Sequence, residues 1–152
     1  MQALIMDCDR ADAKLIGVEY IISEKLYKQL PEEEKKLWYS KGFEAKSGAM
    51  VAPRMPMAME HKLMKDLAPT YAKSISLWHS DRDQLPLGLP QFMVAPTKEG
   101  MLNFDLLHKR DKELGIDTEA ERKNRSDIQA PLYSGSWTQM KGCELTMKPV
   151  NL

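Results

Sequence analysis

Four segments of the chain have patterns of apolar and polar positions that favour strands. Residues 3–6 and 14–22 lie near the amino terminus, and the second of these is rich in β-branched side chains and alternates imperfectly. A third strand is predicted over residues 43–53, with a bulge or turn at Gly48, and a fourth over residues 91–95. The pattern therefore predicts a sheet whose strands are spread over the first two thirds of the chain.

Helical signals lie between these strands. Ser23 provides an N-cap for a short helix, and Pro31 suits the first position of a second helix, which should end between residues 38 and 42. Apolar side chains recur every three or four residues from 60 to 78. That spacing predicts one face of an amphipathic helix. Because Pro69 cannot donate a backbone hydrogen bond, we expect either a kink there or two abutting helices.

Two further helices are predicted towards the carboxyl terminus. Residues 101–114 have helical spacing and precede Gly115, a residue that favours a C-cap, and Thr118 with Glu121 forms a capping-box pattern. The chain from Ser126 onward looks irregular. Strands with inserted helices, but no regular βαβ alternation, favour an α+β fold: a single domain, mostly antiparallel sheet, with inserted and flanking helices. A doubly wound parallel sheet is the weaker alternative.

Length and charge exclude several classes of protein. A chain of 152 residues with 43% apolar and 29% charged residues is typical of one globular domain. Basic and acidic residues number 22 each, so no overall positive charge attracts nucleic acid. No apolar stretch is long enough for a transmembrane helix, and no secretory signal is recognisable, which favours a cytoplasmic location.

Cofactor motifs are missing from the sequence. Cys8 and Cys143 lie far apart and do not have the spacing of a zinc site, and phosphate-binding, dinucleotide-binding and zincin motifs do not occur. We therefore expect neither a metal nor an organic cofactor. Methionine is the unusual component, because five of the eleven fall between residues 50 and 64. Such a cluster fills a core or forms a soft apolar binding surface.

The segment from Trp78 to Asp83 contains the best polar constellation for catalysis. His79 is a candidate general acid or base, and Asp81 is a candidate for orienting its ring. Trp78 and Arg82 are candidate substrate contacts. The alternative is structural: the aspartates form turn hydrogen bonds, and His79 lies at the carboxyl end of the predicted helix.

Glu19 is the second candidate catalytic residue, since it lies among apolar residues of a predicted strand. A carboxylate removed from water can hold or accept a proton near neutral pH. The alternative is a salt bridge across the sheet or an outward-facing position. Tyr39, Met50 and Met93 complete the candidate substrate-binding residues.

Two long segments resemble a known family. They are residues 12–56, DAKLIGVEYIISEKLYKQLPEEEKKLWYSKGFEAKSGAMVAPRMP, and 67–93, LAPTYAKSISLWHSDRDQLPLGLPQFM. Both are similar to the plant oil-body-associated protein family, a domain of formerly unknown function, as is the later RDKELGIDTEAERKNR. The resemblance implies a cytosolic plant protein that associates with lipid droplets and affects their size or stability.

This chain departs from the family pattern at two places. Family members usually begin upstream with a histidine-bearing region, so residues 1–131 are interpreted as the family domain without its N-terminal part, and 132–152 as an irregular tail. The family pattern His-Ser-His after the tryptophan is here Tyr39-Ser40-Lys41. A metal or ligand site made by those histidines would be lost.

Three functions follow from these observations. The first is association with the lipid-droplet surface. The second is a cofactor-independent cyclase or isomerase that acts on a small apolar plant metabolite, such as a reactive terpenoid; whether the protein is an enzyme stays open. The third is an interaction module, either a homodimer or a partner of full-length relatives, that pairs through an open sheet edge.

Overall fold

A five-stranded antiparallel sheet forms the centre of the computed structural model, which describes residues 1–93 and 95–130. The strands lie in the order β1-β2-β4-β3, and β5 also pairs with β4. Their bounds are β1 Gln2–Met6, β2 Leu15–Ser23, β3 Tyr39–Ser40, β4 Thr70–Ser76 and β5 Gln91–Met93. The predicted α+β class with a mostly antiparallel sheet is confirmed. The predicted domain boundary after residue 131 lies outside the described residues.

Six helices connect or flank the strands: α1 Glu24–Lys28, α2 Glu32–Lys35, α3 Gly42–Lys46, α4 Met57–Leu67, α5 Phe104–Leu114 and α6 Thr118–Asn124. Two predicted caps are confirmed. The Ser23 hydroxyl accepts the amide of Leu26 at the start of α1, and Gly115 ends α5 in the left-handed conformation, with φ of 66°. No helix in the described part of the chain is long and apolar enough to span a membrane.

The helix predicted over residues 60–78 is wrong in its second half. α4 ends at Leu67, and residues 70–76 form β4, which pairs with β2 from Gly17 opposite Ser76 to Ser23 opposite Thr70. The four-residue step from Tyr71 to Ile75 suggested a helix. Four is also a multiple of two, so the same spacing places both side chains on one face of a strand. Pairing with β2 decides between the two structures.

The strand predicted over residues 43–53 is also wrong. Residues 42–46 form α3, which buries Ala45 against α4, and the chain then turns at Gly48 with φ of 76°. The turn at Gly48 is therefore confirmed, but not the strand around it. Glu44, Ala45 and Lys46 are good helix formers, and their propensity agrees with the structure.

Two helix starts differ from the prediction by one residue. Pro31 is the N-cap of α2. The predicted end between residues 38 and 42 is wrong, since α2 ends at Lys35 and residues 39–40 form β3. The N-cap of α6 is Asp117 rather than Thr118, and its carboxylate accepts the amides of the next turn. Both differences lie within the usual uncertainty of a helix end.

Helices cover one face of the sheet. On that face Ile21, Tyr39, Leu67 and Ala72 form one buried cluster. A second cluster joins Ala45, Met64, Ala68 and Ile128, and Met50 and Leu63 pack against both clusters. Met50 and Met64 therefore serve the core, whereas Met55, Met57 and Met59 are exposed.

The opposite face of the sheet is more open. Its central row crosses four strands, with Leu4 opposite Val18, Val18 opposite Ile75, and Ile75 opposite Phe92. Leu4 is 70% exposed, and Tyr20 of the next row is 40% exposed. Elsewhere on this face, Tyr27 of α1 stacks on Tyr71, and Lys73 of β4 pairs with Glu34 of α2 at 2.7 Å.

Candidate functional site

The constellation from Trp78 to Asp83 lies in the loop after β4, not at a helix end as predicted. The indole nitrogen of Trp78 donates to the carbonyl of Asp83 at 3.0 Å. The amides of Arg82 and Asp83 both donate to the carbonyl of His79, at 3.0 and 2.8 Å. These contacts form a tight turn, and because no helix ends there, no helix dipole acts on the imidazole.

Among the described residues, the His79 side chain has one hydrogen-bond partner, Gln91, and it also interacts electrostatically with the carboxyl of Asp83. Its Nε2 lies 3.4 Å from Oε1 of Gln91, and it forms no hydrogen bond or ion pair with Asp81. Asp83 instead pairs with Arg82 at 2.7 Å, and this hydrogen bond lowers the pKa of the Asp83 carboxyl. The carboxylate that would orient the histidine is therefore not in contact with it.

Glu19 lies in a buried polar cluster on the covered face of the sheet. Its Oε1 accepts hydrogen bonds from the hydroxyl of Tyr39 at 2.6 Å, the hydroxyl of Ser74 at 3.0 Å and the ammonium of Lys41 at 3.1 Å. The same ammonium lies 2.6 Å from Oε2 of Glu44. One buried cation is thus shared by two carboxylates. The cluster consists of Glu19, Tyr39, Lys41, Glu44 and Ser74.

Burial governs the proton affinities in this cluster. Burial raises the pKa of the Tyr39 hydroxyl, and the charges of Glu44 and Glu19 raise it further. Tyr39 therefore acts as a hydrogen-bond donor, not as a base. Burial also raises the pKa of Glu44, against the opposing effect of Lys41. Glu44 is thus the group in this cluster that can hold a proton at mildly acidic pH.

Sequence reasoning missed a second buried charge, Arg125. Its side chain is fully buried and donates to the carbonyls of Ala45 at 2.8 Å and Met50 at 2.7 Å. It also forms ion pairs with Glu60 and Glu121. Arg125 follows a charged helix, where most side chains face water, so no sequence signal distinguishes it.

A cavity of about 450 Å³ lies beside this arginine. Lys46, Arg122 and Arg125 contribute positive charge to its wall, and Glu99 pairs with Arg122 at 3.1 Å. None of the eight predicted site residues lines it. Within residues 1–93 and 95–130, no three histidine, cysteine, aspartate or glutamate side chains are grouped so that they could hold a metal ion.

The structure divides the eight predicted site residues into two groups. Glu19, Tyr39, Met50 and Met93 belong to the covered face, where Met93 lies opposite Ser74. The other four are in the loop after β4; they are Trp78, His79, Asp81 and Arg82. The two groups therefore occupy different parts of the fold, the covered face of the sheet and the loop after β4. Catalysis by His79, Glu19 and Asp81 stays a prediction.

Comparison with known proteins identifies the family. A family model described as "Protein of unknown function (DUF1264)" matches residues 1–129. The chain belongs to this family. No solved structure matches it.

The chain is also similar to proteins named oil body-associated proteins. The chain is 44% identical to oil body-associated protein 1A of Zea mays, over 86% of this chain and 55% of that protein. It is 42% identical to protein 1B of Arabidopsis thaliana, over 99% and 64%. It is 40% identical to protein 2C of Arabidopsis thaliana, over 94% and 63%. The resemblance seen in the sequence is confirmed, and the chain spans about half to two thirds of the length of these relatives.

Proposed function

We propose that this DUF1264 protein associates with oil bodies and contributes to the stability of these lipid droplets. The observation that carries the proposal is the likeness to relatives named for oil bodies, which extends over most of this chain. A cytoplasmic location, where the protein meets the droplet surface, is part of the same proposal.

The apolar face of the sheet supports this function. Leu4, Val18, Ile75 and Phe92 form one row across four strands, and the β1 end of that row is exposed. A protein that contacts lipid needs apolar surface available without unfolding. No observation of comparable weight favours the cyclase or isomerase hypothesis.

Flotation tests the proposal directly. A tagged chain is expressed at a normal level in oil-storing plant cells, and oil bodies are separated by centrifugation. We expect the protein in the floating layer with the oil-body fraction, whereas the tag alone stays in the soluble fraction. Full recovery in the soluble fraction would contradict the proposal. Loss of the gene should also change oil-body size, which microscopy measures.

A further inference from the structure

The loop between β4 and β5 extends past one end of the sheet. β4 ends at Ser76, and β5 begins at Gln91, which lies directly opposite Ser76 in the antiparallel register. The fourteen residues between them, 77–90, therefore leave the sheet and return to the same point. We call the part of this loop next to the sheet its base and the part farthest from the sheet its tip.

The base of the loop is fixed to the sheet end. The Ser80 hydroxyl donates to Oδ2 of Asp7 at 3.2 Å, and the Trp78 indole donates to the carbonyl of Asp83 at 3.0 Å. The ammonium of Lys14 lies 4.8 Å from the centre of the Trp78 ring. The residues first considered for catalysis thus hold the start of the loop in place.

The tip, residues 84–90, is exposed along its whole length. Leu85 is 64%, Leu87 61% and Leu89 46% exposed. The surrounding segment contains no charged residue from 84 to 97. Three exposed leucines in an uncharged segment are unusual on a protein surface that faces only water, and such patches mark interaction sites.

The backbone of the tip also suits an apolar environment. Pro86 and Pro90 have no N–H group, so two fewer donors lose their water when the tip is buried. Gly88 turns the chain with φ of 82°, and apart from its chain neighbours no residue in the described part of the chain lies within 4 Å of the position that a Cβ would occupy there. The tip therefore projects into open space.

Other exposed apolar side chains occur at the same end of the sheet. Met6 ends β1, Leu15 begins β2, and Leu77 follows β4; each is between 37% and 42% exposed. Together with the tip they give this end of the molecule an apolar surface.

The charged residues at this end of the sheet indicate which kind of lipid surface it can bind. The base of the loop, residues 78–83, lies beside the segment of residues 7–14. Together they contain five carboxylates and three basic side chains besides His79. This excess of negative charge disfavours an anionic membrane. It is compatible with a zwitterionic monolayer, where binding depends on apolar area rather than on counter-charge.

We propose that Leu85, Leu87 and Leu89 form a lipid-insertion loop that enters the phosphatidylcholine monolayer of a droplet, an inference that rests on the proposed function. The apolar side chains pass between the headgroups, and the anchored base stays in the polar layer.

Artificial droplets with a triolein core and a phosphatidylcholine monolayer test this proposal. The purified full chain is compared with the triple variant Leu85→Ser/Leu87→Ser/Leu89→Ser and with a matched control, Met55→Ser/Met57→Ser/Met59→Ser. The control removes three exposed apolar side chains from another surface. We expect the leucine variant to bind at least about tenfold more weakly, and the methionine variant to bind like the wild type.

Two further measurements complete the test. Binding should change little between about 50 and 500 mM salt, and anionic lipid in the monolayer should not strengthen it. Circular dichroism and thermal unfolding check that the leucine variant is folded; if it is not, Leu87→Ser alone replaces it, with a smaller expected loss.

Equal binding of a folded leucine variant and the wild type would overturn the insertion loop. So would loss of binding only in the methionine variant. A wild type that floats with plant oil bodies but not with bare droplets would overturn the loop as a lipid site and identify a protein on the oil body as its partner. That result would leave the proposed function intact.

Discussion

Lys41 places one positive charge between the carboxylates of Glu19 and Glu44, and its side chain is almost completely buried. Such an arrangement is stable only when the attraction and hydrogen bonds compensate for the lost hydration of all three groups. The hydroxyls of Tyr39 and Ser74 supply hydrogen bonds to Glu19. Among the described residues, Lys41 is the one ion-pair partner of Glu44, and burial raises the pKa of this carboxyl in spite of that cation.

The raised pKa of Glu44 predicts a pH dependence of stability. A carboxyl whose pKa is higher in the folded state stabilises the fold fully below its unfolded value, near 4.5, and this contribution is lost as pH rises through the folded pKa. We expect the free energy of unfolding of wild type minus that of Glu44→Gln to fall as pH increases from about 4.5. Urea denaturation across pH measures it. A pH-independent difference would contradict this assignment.

Arg125 predicts a large loss of stability on truncation. Arg125→Ala leaves Glu60 and the carbonyls of Ala45 and Met50 without their partner, so we expect the free energy of unfolding to fall by about 3–5 kcal/mol. Arg10→Ala, at an exposed arginine, is the control and should leave stability nearly unchanged. Chemical denaturation measures both; equal effects would show that the buried network contributes little.

At the scale of elements, the sequence predicted three of the five strands, β1, β2 and β5, and missed β3 and β4. The predicted strands follow from local apolar patterns and β-branched residues, and the caps at Ser23 and Gly115 follow from residue chemistry. β4 could not be predicted, because its apolar spacing fits a helix equally well and only pairing with β2 decides. β3 has two residues, and its pairing with β4 is what makes it a strand.

Gly48 joins two elements that are far apart in sequence. A Cβ at this position would lie 2.5 Å from the carbonyl oxygen of Thr118, the first residue of α6. Gly100 has a similar positive φ of 84° but no neighbour within 4 Å. We expect Gly100→Ala to destabilise by about 1 kcal/mol, from backbone strain alone. Gly48→Ala should destabilise by about 1–3 kcal/mol more, because α6 must move.

Thermal or urea unfolding of the two glycine variants measures this difference. Similar losses for Gly48→Ala and Gly100→Ala would show that α6 does not pack against the turn as described.

At the scale of the whole molecule, composition does not show where the charged residues lie. The equal numbers of acidic and basic residues predict no electrostatic partner, and the structure buries several of those charges in the clusters around Lys41 and Arg125. The sequence suggested Glu19 and Tyr39 as site residues, and they are indeed in contact. The burial of Lys41 and Arg125 could not be predicted, because it results from packing between residues far apart in the sequence.

Packing at the carboxyl end of the described chain predicts where the domain can be cut. Ile128 is completely buried in the second core cluster, and Ala130 packs against the same cluster. A chain that ends at residue 131 should therefore unfold like the full chain. A chain that ends at residue 126 lacks Ile128 and should be about 2–5 kcal/mol less stable. Urea denaturation compares them; equal stability of both truncations would contradict this packing.

The position of Arg125 also has a consequence for the newborn protein on the ribosome. Its partners Ala45, Met50 and Glu60 precede it by 65 to 80 residues. At a synthesis rate of roughly 5–20 residues per second, about 3–13 s pass between the translation of Glu60 and that of Arg125. All five strands of the sheet are translated before Arg125. Until Arg125 is made, α3 and α4 lack the cation that contacts both of them. During this interval the second core cluster is also incomplete, because Ile128 is translated after Arg125.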